Sequence, residues 1–537
     1  MKKDLTLSSL LLFFACSAGF SQTPDSTAMK FAPVITAEDA KKHLSVLASD
    51  EYEGRETGKE GQKKAAKYIA DDFKKIGLVS ATDETYLQKF PLVLSTPAGA
   101  DLVIGGKKYE NNKDFYVLPY GKPLTMEAKR ILFLGYGISD AKYDDYKNTD
   151  VKDKVLLVIG GEPISEDSVS FISGKKELSD WTNSYRKKSD LAKEKGAAAL
   201  IVINENFAGN LELMKHFLAS PSLKLEPDTS KEKTVGPVPA EKDQKKKLPQ
   251  VGISVKTANE IIAPENLDAL IKKIRSTKQS VSFEIKSSFE LAVSSKEDKI
   301  YSENVLGIIK GTEHPEEVVF ITAHYDHLGV RDGKVFNGAD DDGSGTVGVM
   351  EIANAFEKAK ETGSAPKRTL VFMTVAGEEK GLLGSSYYTN NPIFPIEKTV
   401  CDLNIDMIGR TDDHYKDTVD YVYIIGSDKI STELHKINEH ANSTYTHLKL
   451  DYKYNDPNDP NRFYFRSDHY NFAKKGVPII FYFNGTHEDY HQETDEVSKI
   501  NFDILAKRAQ LVFYTAWEVA NRKDRIVTDV VQEKEKK

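Results

Sequence analysis

Residues 371–385 read VFMTVAGEEKGLLGS, and they join an apolar run to two adjacent carboxylates. The run from Val371 to Val375 predicts a buried strand, since it is nearly continuous in apolar and β-branched residues. Glu378 and Glu379 follow directly after that strand. Neighbouring carboxylates repel each other and resist burial unless positive charge lies beside them. The rest of the chain must therefore supply that charge.

Further strands of the same kind occur on both sides of this stretch. The runs VVFITAH (318–324), VCDLNIDMIG (400–409) and VPIIFYFNG (477–485) are also nearly continuous in apolar residues. After the first of them, residues 345–360 place Val347, Met350, Ala353 and Phe356 at helical spacing. This alternation predicts an α/β fold in which a mostly parallel central sheet is flanked by helices.

Side chains that can bind metal follow four of these predicted strands. In chain order they are His324, Asp326, His327, Glu378, Glu379, Asp406, His487 and His491, and the acidic run Asp340–Asp342 precedes the predicted helix. Ligands of open α/β sheets bind outside the carboxyl ends of the strands. These side chains are therefore expected to share one edge of the sheet.

A metal centre is the simplest way to hold so many carboxylates together, because without cations they would repel each other. Imidazole and carboxylate ligands suit zinc or a similar divalent ion, and one carboxylate can bridge two ions. Two ions about 3.5–4 Å apart lower the pKa of a water molecule and stabilise the oxyanion of an amide under attack. One glutamate of the Glu378–Glu379 pair is expected to bind metal while the other remains free to move protons. The chain contains no GxSxG, HExxH or P-loop motif that would indicate another hydrolase class.

Five motifs carry a resemblance to a known family. In this order, AHYDHLG, NGADDDGSG, AGEEKGLLGS, NIDMIGR and DYHQETDE resemble the motifs of the co-catalytic di-zinc aminopeptidases. That family also contains glutamate carboxypeptidases, glutaminyl cyclases and the inactive transferrin receptors. The resemblance implies the zinc-aminopeptidase form of the α/β fold, two zinc ions and peptide substrates.

The resemblance also assigns a role to particular residues. It implies that His324 and Asp406 bind one zinc, that Glu379 and His491 bind the other, and that Asp341 bridges both. Asp341 is chosen from the acidic run because it lies three residues before Ser344, which matches the family spacing Asp-x-x-Ser-Gly.

Two further roles follow from the same family pattern. Glu378 is the general base, and Asp326 is the acid that orients the imidazole of His324 through a hydrogen bond. His327, His469 and His487 match no ligand position of the family.

The resemblance further predicts how the chain is divided. Residues 98–290 resemble a mainly β protease-associated domain, inserted into a catalytic domain made of residues 30–97 and 291–525. Residues 526–537 form a charged tail.

The N-terminus predicts export. Residues 1–21 combine Lys2 and Lys3 with an apolar stretch and small residues, which is the pattern of a signal peptide. The protein is thus expected in the periplasm or the medium, with a lipid anchor on Cys16 as the alternative. Removal of the signal peptide would leave Cys401 alone, so we expect no internal disulfide and an inert core thiol.

Composition narrows the possible partners. The 537 residues are 39% hydrophobic and 29% charged, which indicates a folded protein. The formal net charge of −8 argues against nucleic acid as a partner, since phosphate-binding surfaces are usually basic. Beyond the signal peptide, no segment is apolar enough for a transmembrane helix.

The predicted function is that of an exported zinc aminopeptidase. A carboxypeptidase or a glutaminyl cyclase on the same scaffold are alternatives, and the cyclases do not usually carry the inserted domain. An inactive, receptor-like binding protein is a further alternative. Such relatives lose ligands or the base, whereas this chain retains all the residues that the family pattern requires.

Overall fold

The structure is a computed structural model that describes residues 23–81, 85–119, 122–183, 185–227, 248–416 and 420–530. The predicted signal peptide, with Cys16, lies outside the described residues, as do residues 531–537 of the predicted tail. No helix within the described ranges is long and apolar enough to cross a membrane.

The helices are, in chain order, α1 (Ser26–Phe31), α2 (Ala37–Leu47), α3 (Glu60–Ile76), α4 (Asp180–Asn183), α5 (Tyr185–Glu194), α6 (Phe207–Ala219), α7 (Val255–Ile262), α8 (Leu267–Thr277), α9 (Gly345–Glu361), α10 (Leu383–Asn390), α11 (Thr432–Ala441), α12 (His469–Ala473) and α13 (Phe502–Asn521). The strands are β1 (Val79–Ser80), β2 (Leu87–Ile104), β3 (Lys107–Tyr109), β4 (Phe115–Val117), β5 (Leu124–Ala128), β6 (Ile131–Leu134), β7 (Val155–Ile159), β8 (Ala199–Asn204), β9 (Ser222–Leu225), β10 (Gln250–Ser254), β11 (Ser282–Ile285), β12 (Phe289–Ile309), β13 (His314–His324), β14 (Gly329–Arg331), β15 (Lys334–Phe336), β16 (Arg368–Val375), β17 (Thr399–Ile405), β18 (Tyr421–Ile425), β19 (Lys449–Asp451) and β20 (Ile479–Phe483).

The chain folds into two compact units. Leu92–Ile300 form one unit, and the described residues before Leu92 and after Ile300 form the other. In the first, β11–β6–β7–β8–β10–β4 make a six-stranded sheet whose four central strands are parallel. Its core contains apolar side chains from these strands and from α7 and α8.

The second unit contains the predicted central sheet. Its strands are ordered β19–β18–β20–β17–β13–β16–β12, and the four central strands β20, β17, β13 and β16 are parallel. On one face, β13 and β16 bury side chains against Tyr388 of α10 and Phe472 of α12. On the other, Phe372 packs against Phe356 of α9, which stacks on Trp517 of α13. The predicted α/β fold with a mostly parallel, helix-flanked sheet is confirmed.

The parallel arrangement brings four strand ends to one edge. β13 ends at His324, β16 at Val375, β17 at Ile405 and β20 at Phe483. The chain can turn sharply after β16 because Gly377 has a φ of +81°, and a Cβ there would lie 2.9 Å from the Cβ of Leu383. This turn leaves Glu378 and Glu379 at the edge of the sheet.

A buried carboxyl group on α9 makes the stability of the fold depend on pH. Glu351 is 2% exposed, its Oε2 has no partner among the described residues, and its Oε1 lies 3.8 Å from Nε2 of His43. Burial raises the pKa of Glu351 to about 8. The folded protein holds the Glu351 proton more tightly than the unfolded chain does. The stability contributed by protonated Glu351 is therefore complete below about pH 4.5 and is lost as the pH rises to about 8.

Glu351→Gln is therefore expected to stabilise the fold at alkaline pH, because it removes the buried charge. Relative to the parent protein, we expect a gain on the order of a few kcal/mol at about pH 9 and almost none at about pH 5. Urea unfolding of both proteins across this range measures the difference. Burial lowers the pKa of His43, the neighbour of Glu351, so both proteins are compared in a His43→Gln background that removes this second titration. Parallel stability curves would contradict the prediction.

Candidate metal centre

The structure gathers the residues that the sequence predicts for the site. His324, Asp341, Glu378, Asp406 and His491 all line one pocket at the carboxyl edge of the sheet. Glu379 lies beside them, because its Oε1 is 3.4 Å from Nε2 of His491. The predicted residues thus come together from β13, the segment before α9, the turn after β16, the end of β17 and the segment after β20.

The donor atoms fall into two groups that share Asp341. In the first group, Nε2 of His324 lies 3.3 Å from Oδ1 of Asp341 and 3.6 Å from Oδ1 of Asp406. In the second group, Nε2 of His491 lies 3.0 Å from Oδ2 of Asp341 and 3.4 Å from Oε1 of Glu379. Each oxygen of Asp341 therefore faces a different group.

The neighbouring aspartates are already engaged by the protein. Oδ1 of Asp340 accepts hydrogen bonds from the Ser344 hydroxyl and the Gly409 amide, and Oδ2 lies 3.1 Å from Nε2 of His487. Asp342 accepts hydrogen bonds from the amides of His324, Gly345 and Met407. Asp342 also belongs to a cluster with His324 and Asp406 that could hold metal, and its two oxygens already accept these three hydrogen bonds.

Asp326 supports the site in a different way from the one expected. Nδ1 of His324 lies 3.0 Å from the backbone carbonyl oxygen of Asp326 and 3.8 Å from its carboxylate. The carboxylate instead accepts hydrogen bonds from the Glu378 amide at 3.2 Å and from the Thr57 hydroxyl at 2.6 Å. Asp326 therefore orients His324 through its main chain and fixes the backbone of Glu378 through its side chain.

The residues present fit divalent metal. Asp341 Oδ2 and Glu379 Oε1 are buried, and neither has a hydrogen-bond partner among the described residues. Donor atoms about 2.0–2.2 Å from one zinc ion, at angles near 90–120°, are separated by about 2.8–3.8 Å. The separations of 3.0–3.6 Å within the two groups fall in that range. The unsatisfied oxygens and these separations are what a metal ion would require.

The protonation of the site also indicates that it would bind a cation. Burial, opposed by His324 but aided by the carboxylates of Glu379 and Asp406, raises the pKa of Glu378 well above its usual value. Burial disfavours the charged form of His491, yet Asp341 and Glu379 raise its pKa to about 10. The site therefore holds protons to balance its negative charge, and a bound cation would displace them.

The pocket wall includes residues that sequence reasoning missed. Met407, Phe463, Phe481, Phe483 and Tyr490 give the pocket an apolar and aromatic lining. Arg466 also lines it, donates a hydrogen bond to the Tyr490 hydroxyl at 3.2 Å and lies over the ring of Phe463. The runs FYFNG and RFYFR contain most of these residues, but the same letters are typical of any buried strand or turn.

Of the three histidines that match no ligand position of the family, His469 and His487 have partners outside the two donor groups. The ring of His469 is buried, lies 2.8 Å from the Tyr464 carbonyl oxygen and stacks on Phe481, and burial lowers its pKa to about 3. His487 lies beside Asp340, as described above. His327 differs, because the structure places its Nδ1 3.0 Å from Oε1 of Glu379.

Arg55 joins the site to the N-terminal part of the unit. It is 1% exposed, and its guanidinium donates to the carbonyl oxygens of Leu47, Tyr325, Asn337 and Gly338 at 2.6–2.8 Å. Two of these carbonyls directly precede the segment Ala339–Ser344, which contains Asp341. The position of the Asp341 carboxylate therefore depends on a residue far away in sequence.

Comparison with known proteins extends these observations. The chain is 29% identical over 223 residues to a probable leucine aminopeptidase of Trichophyton verrucosum, covering 40% of this chain and 57% of that protein. It is 28% identical over 261 residues to a probable zinc metalloprotease of Pyrenophora teres f. teres, covering 40% and 51% respectively. The chain thus spans about half the length of the curated relatives it matches.

A solved structure shares the fold. The aminopeptidase from Aneurinibacillus sp. strain AM-1 superposes with a TM-score of 0.54 at 19% identity, covering 94% of this chain and 98% of that one. The sequence model of the PA domain matches residues 122–261, within the Leu92–Ile300 unit. The model of peptidase family M28 matches residues 304–516, which contain every residue of the two donor groups. The comparisons thus identify a region of peptidase family M28 at residues 304–516, with a PA domain ahead of it at residues 122–261.

Proposed function

We propose that the protein is an exported zinc metallopeptidase that removes single residues from the N-terminus of peptides. The observation that supports this most strongly is the pair of donor groups joined by Asp341, with Glu378 belonging to neither. His324 and Asp406 would hold one zinc ion, Glu379 and His491 the other, and Asp341 would bridge them. When bound, the two ions would lower the pKa of a water molecule and polarise the scissile carbonyl.

In this proposal Glu378 is the general base that moves protons. Its Oε2 lies 4.0 Å from Nε2 of His324, and its backbone amide is fixed by Asp326. In the proposed mechanism the carboxylate takes a proton from the attacking water and gives it to the leaving amine. The side chain is only 13% exposed, so the transfer would occur away from bulk water.

The pocket supports an aminopeptidase with a preference for apolar side chains. The carboxylates of Glu378 and Asp406 at its wall would attract the α-ammonium group of a peptide, and Phe481 and Phe483 would contact the side chain of the first residue. Arg466 is the observation that favours a carboxypeptidase instead, because its guanidinium could pair with a terminal carboxylate.

Hydrolysis of a defined peptide panel separates these functions. We expect the purified protein to cleave leucyl and phenylalanyl anilides and dipeptides with a higher kcat/KM than glutamyl or lysyl ones. A chelator should abolish cleavage, N-acetylation should block it, and C-amidation should leave it nearly unchanged. Cleavage that survives N-acetylation but requires the free carboxylate would contradict the proposal in favour of a carboxypeptidase. Failure to cleave any substrate with zinc bound would contradict peptidase activity.

A further inference from the structure

His327 is a buried imidazole that the family pattern leaves without a role. It lies three residues after His324 and is completely buried. Neither of its ring nitrogens has a hydrogen-bond partner among the residues that the structure describes. A buried polar group without a hydrogen bond is unfavourable, so this imidazole calls for an explanation.

The Nδ1 atom of His327 faces the second donor group. It lies 3.0 Å from Oε1 of Glu379 and 3.9 Å from Oδ2 of Asp341. Despite the short distance, Glu379 Oε1 is not aligned for a hydrogen bond with the ring and remains unpartnered. His491 and Asp341 Oδ2 show the same combination, a separation of 3.0 Å with the oxygen left unsatisfied. The imidazole of His327 is therefore placed toward a carboxylate in the same way as that of His491, which the family pattern assigns to metal.

The surroundings hold the ring in this position. The backbone amide of His327 donates to the Arg55 carbonyl oxygen at 3.3 Å. On the side of Gly338, whose φ is +53°, an added Cβ would lie 2.4 Å from Cγ of His327 and 2.2 Å from the Asp341 carbonyl oxygen. The ring is therefore confined between Gly338 and the carboxylates of Asp341 and Glu379, and a glycine is required for it to fit.

We propose that Nδ1 of His327 is an additional ligand of the zinc ion held by Glu379, His491 and Asp341. This inference rests on the proposed function only in assuming that this group binds metal. Three buried atoms have no hydrogen-bond partner among the described residues, namely His327 Nδ1, Glu379 Oε1 and Asp341 Oδ2. One cation would satisfy all three. The separation of 3.0 Å from Glu379 Oε1 falls within the range for donors of one zinc ion, and that of 3.9 Å from Asp341 Oδ2 lies just above it. The two sites would then differ, and the ion at the second site would be retained more strongly.

Metal affinity of the full chain tests the proposal. The parent protein, His327→Ala, His327→Gln and His469→Gln would each be equilibrated with chelator-buffered zinc, and bound zinc would be measured by elemental analysis. We expect the parent to bind two ions, whereas both His327 variants should need about 100-fold more free zinc to fill one site. His469→Gln is the matched control, since it changes another fully buried histidine without a place in either donor group, and its zinc binding should not change.

The visible spectrum of the cobalt-substituted proteins provides a second readout, because it depends on the coordination number of the ion. A changed spectrum in both His327 variants, with unchanged far-UV circular dichroism, supports direct ligation. Zinc affinity and cobalt spectrum identical to those of the parent would overturn the proposal even if the peptidase is active. A parent protein that binds no zinc would instead overturn the proposed function itself.

Discussion

Replacing Glu378 by Gln is expected to lower kcat by about 10³-fold while both metal ions remain bound. The amide has nearly the same shape as the carboxylate but cannot accept a proton from water. Glu378 belongs to neither donor group, and its Oε2 lies 4.0 Å from Nε2 of His324. The backbone contact with Asp326 uses the main chain and is therefore preserved.

Glu379→Gln is the matched comparison, because the two glutamates are adjacent in sequence and only Glu379 belongs to a donor group. Glu379→Gln would alter a side chain whose Oε1 lies 3.0 Å from His327 and 3.4 Å from His491. It should weaken zinc binding, and its activity should recover in part when zinc is added in excess. Glu378→Gln should retain zinc and should not recover. Kinetics and bound zinc measured on both variants distinguish the two roles, and near-normal turnover by Glu378→Gln would exclude it as the general base.

The sequence contained most of what was needed for the fold. β16, β20 and the second half of β13 are nearly continuous in apolar residues, which is typical of parallel strands covered on both faces. Once the strands are parallel, their carboxyl ends share an edge, and the side chains that follow each strand are brought together without further information. The predicted set around Asp341 depends on this argument rather than on any single residue.

What the sequence could not provide were contacts made through the backbone or across long distances. The partner of His324 is a carbonyl oxygen of Asp326, and every residue has a carbonyl. The aromatic wall of the pocket contains Phe481 and Phe483, which in sequence are only alternate residues of a buried strand. The approach of His327 to Glu379 depends on the turn at Gly338. None of these features has a signature in residue type or spacing.

Arg55→Met is expected to lower the free energy of unfolding by about 3–5 kcal/mol and also to weaken zinc binding. Burial lowers the pKa of Arg55 to about 10, so the guanidinium is still charged at neutral pH. Its hydrogen bonds go to carbonyl oxygens of Leu47, Tyr325, Asn337 and Gly338. Methionine fills similar space but leaves the carbonyl oxygens of Leu47, Tyr325 and Asn337 without this donor, whereas that of Gly338 keeps its hydrogen bond from the Gly343 amide. Lysine could not reach all four oxygens from a single nitrogen.

Arg368→Met provides the control that separates stability from metal binding. Arg368 is equally buried and also donates to backbone carbonyl oxygens, those of Val519, Arg522 and Lys523. It begins β16 at the end opposite to the metal centre. Urea unfolding in the presence of a chelator should show both variants destabilised. Zinc titration of the folded proteins should show weaker binding only for Arg55→Met, because only Arg55 holds the segment that leads to Asp341. Equal zinc affinity in the two variants would mean that the metal centre does not depend on Arg55, and that its carbonyl contacts serve the stability of the fold alone.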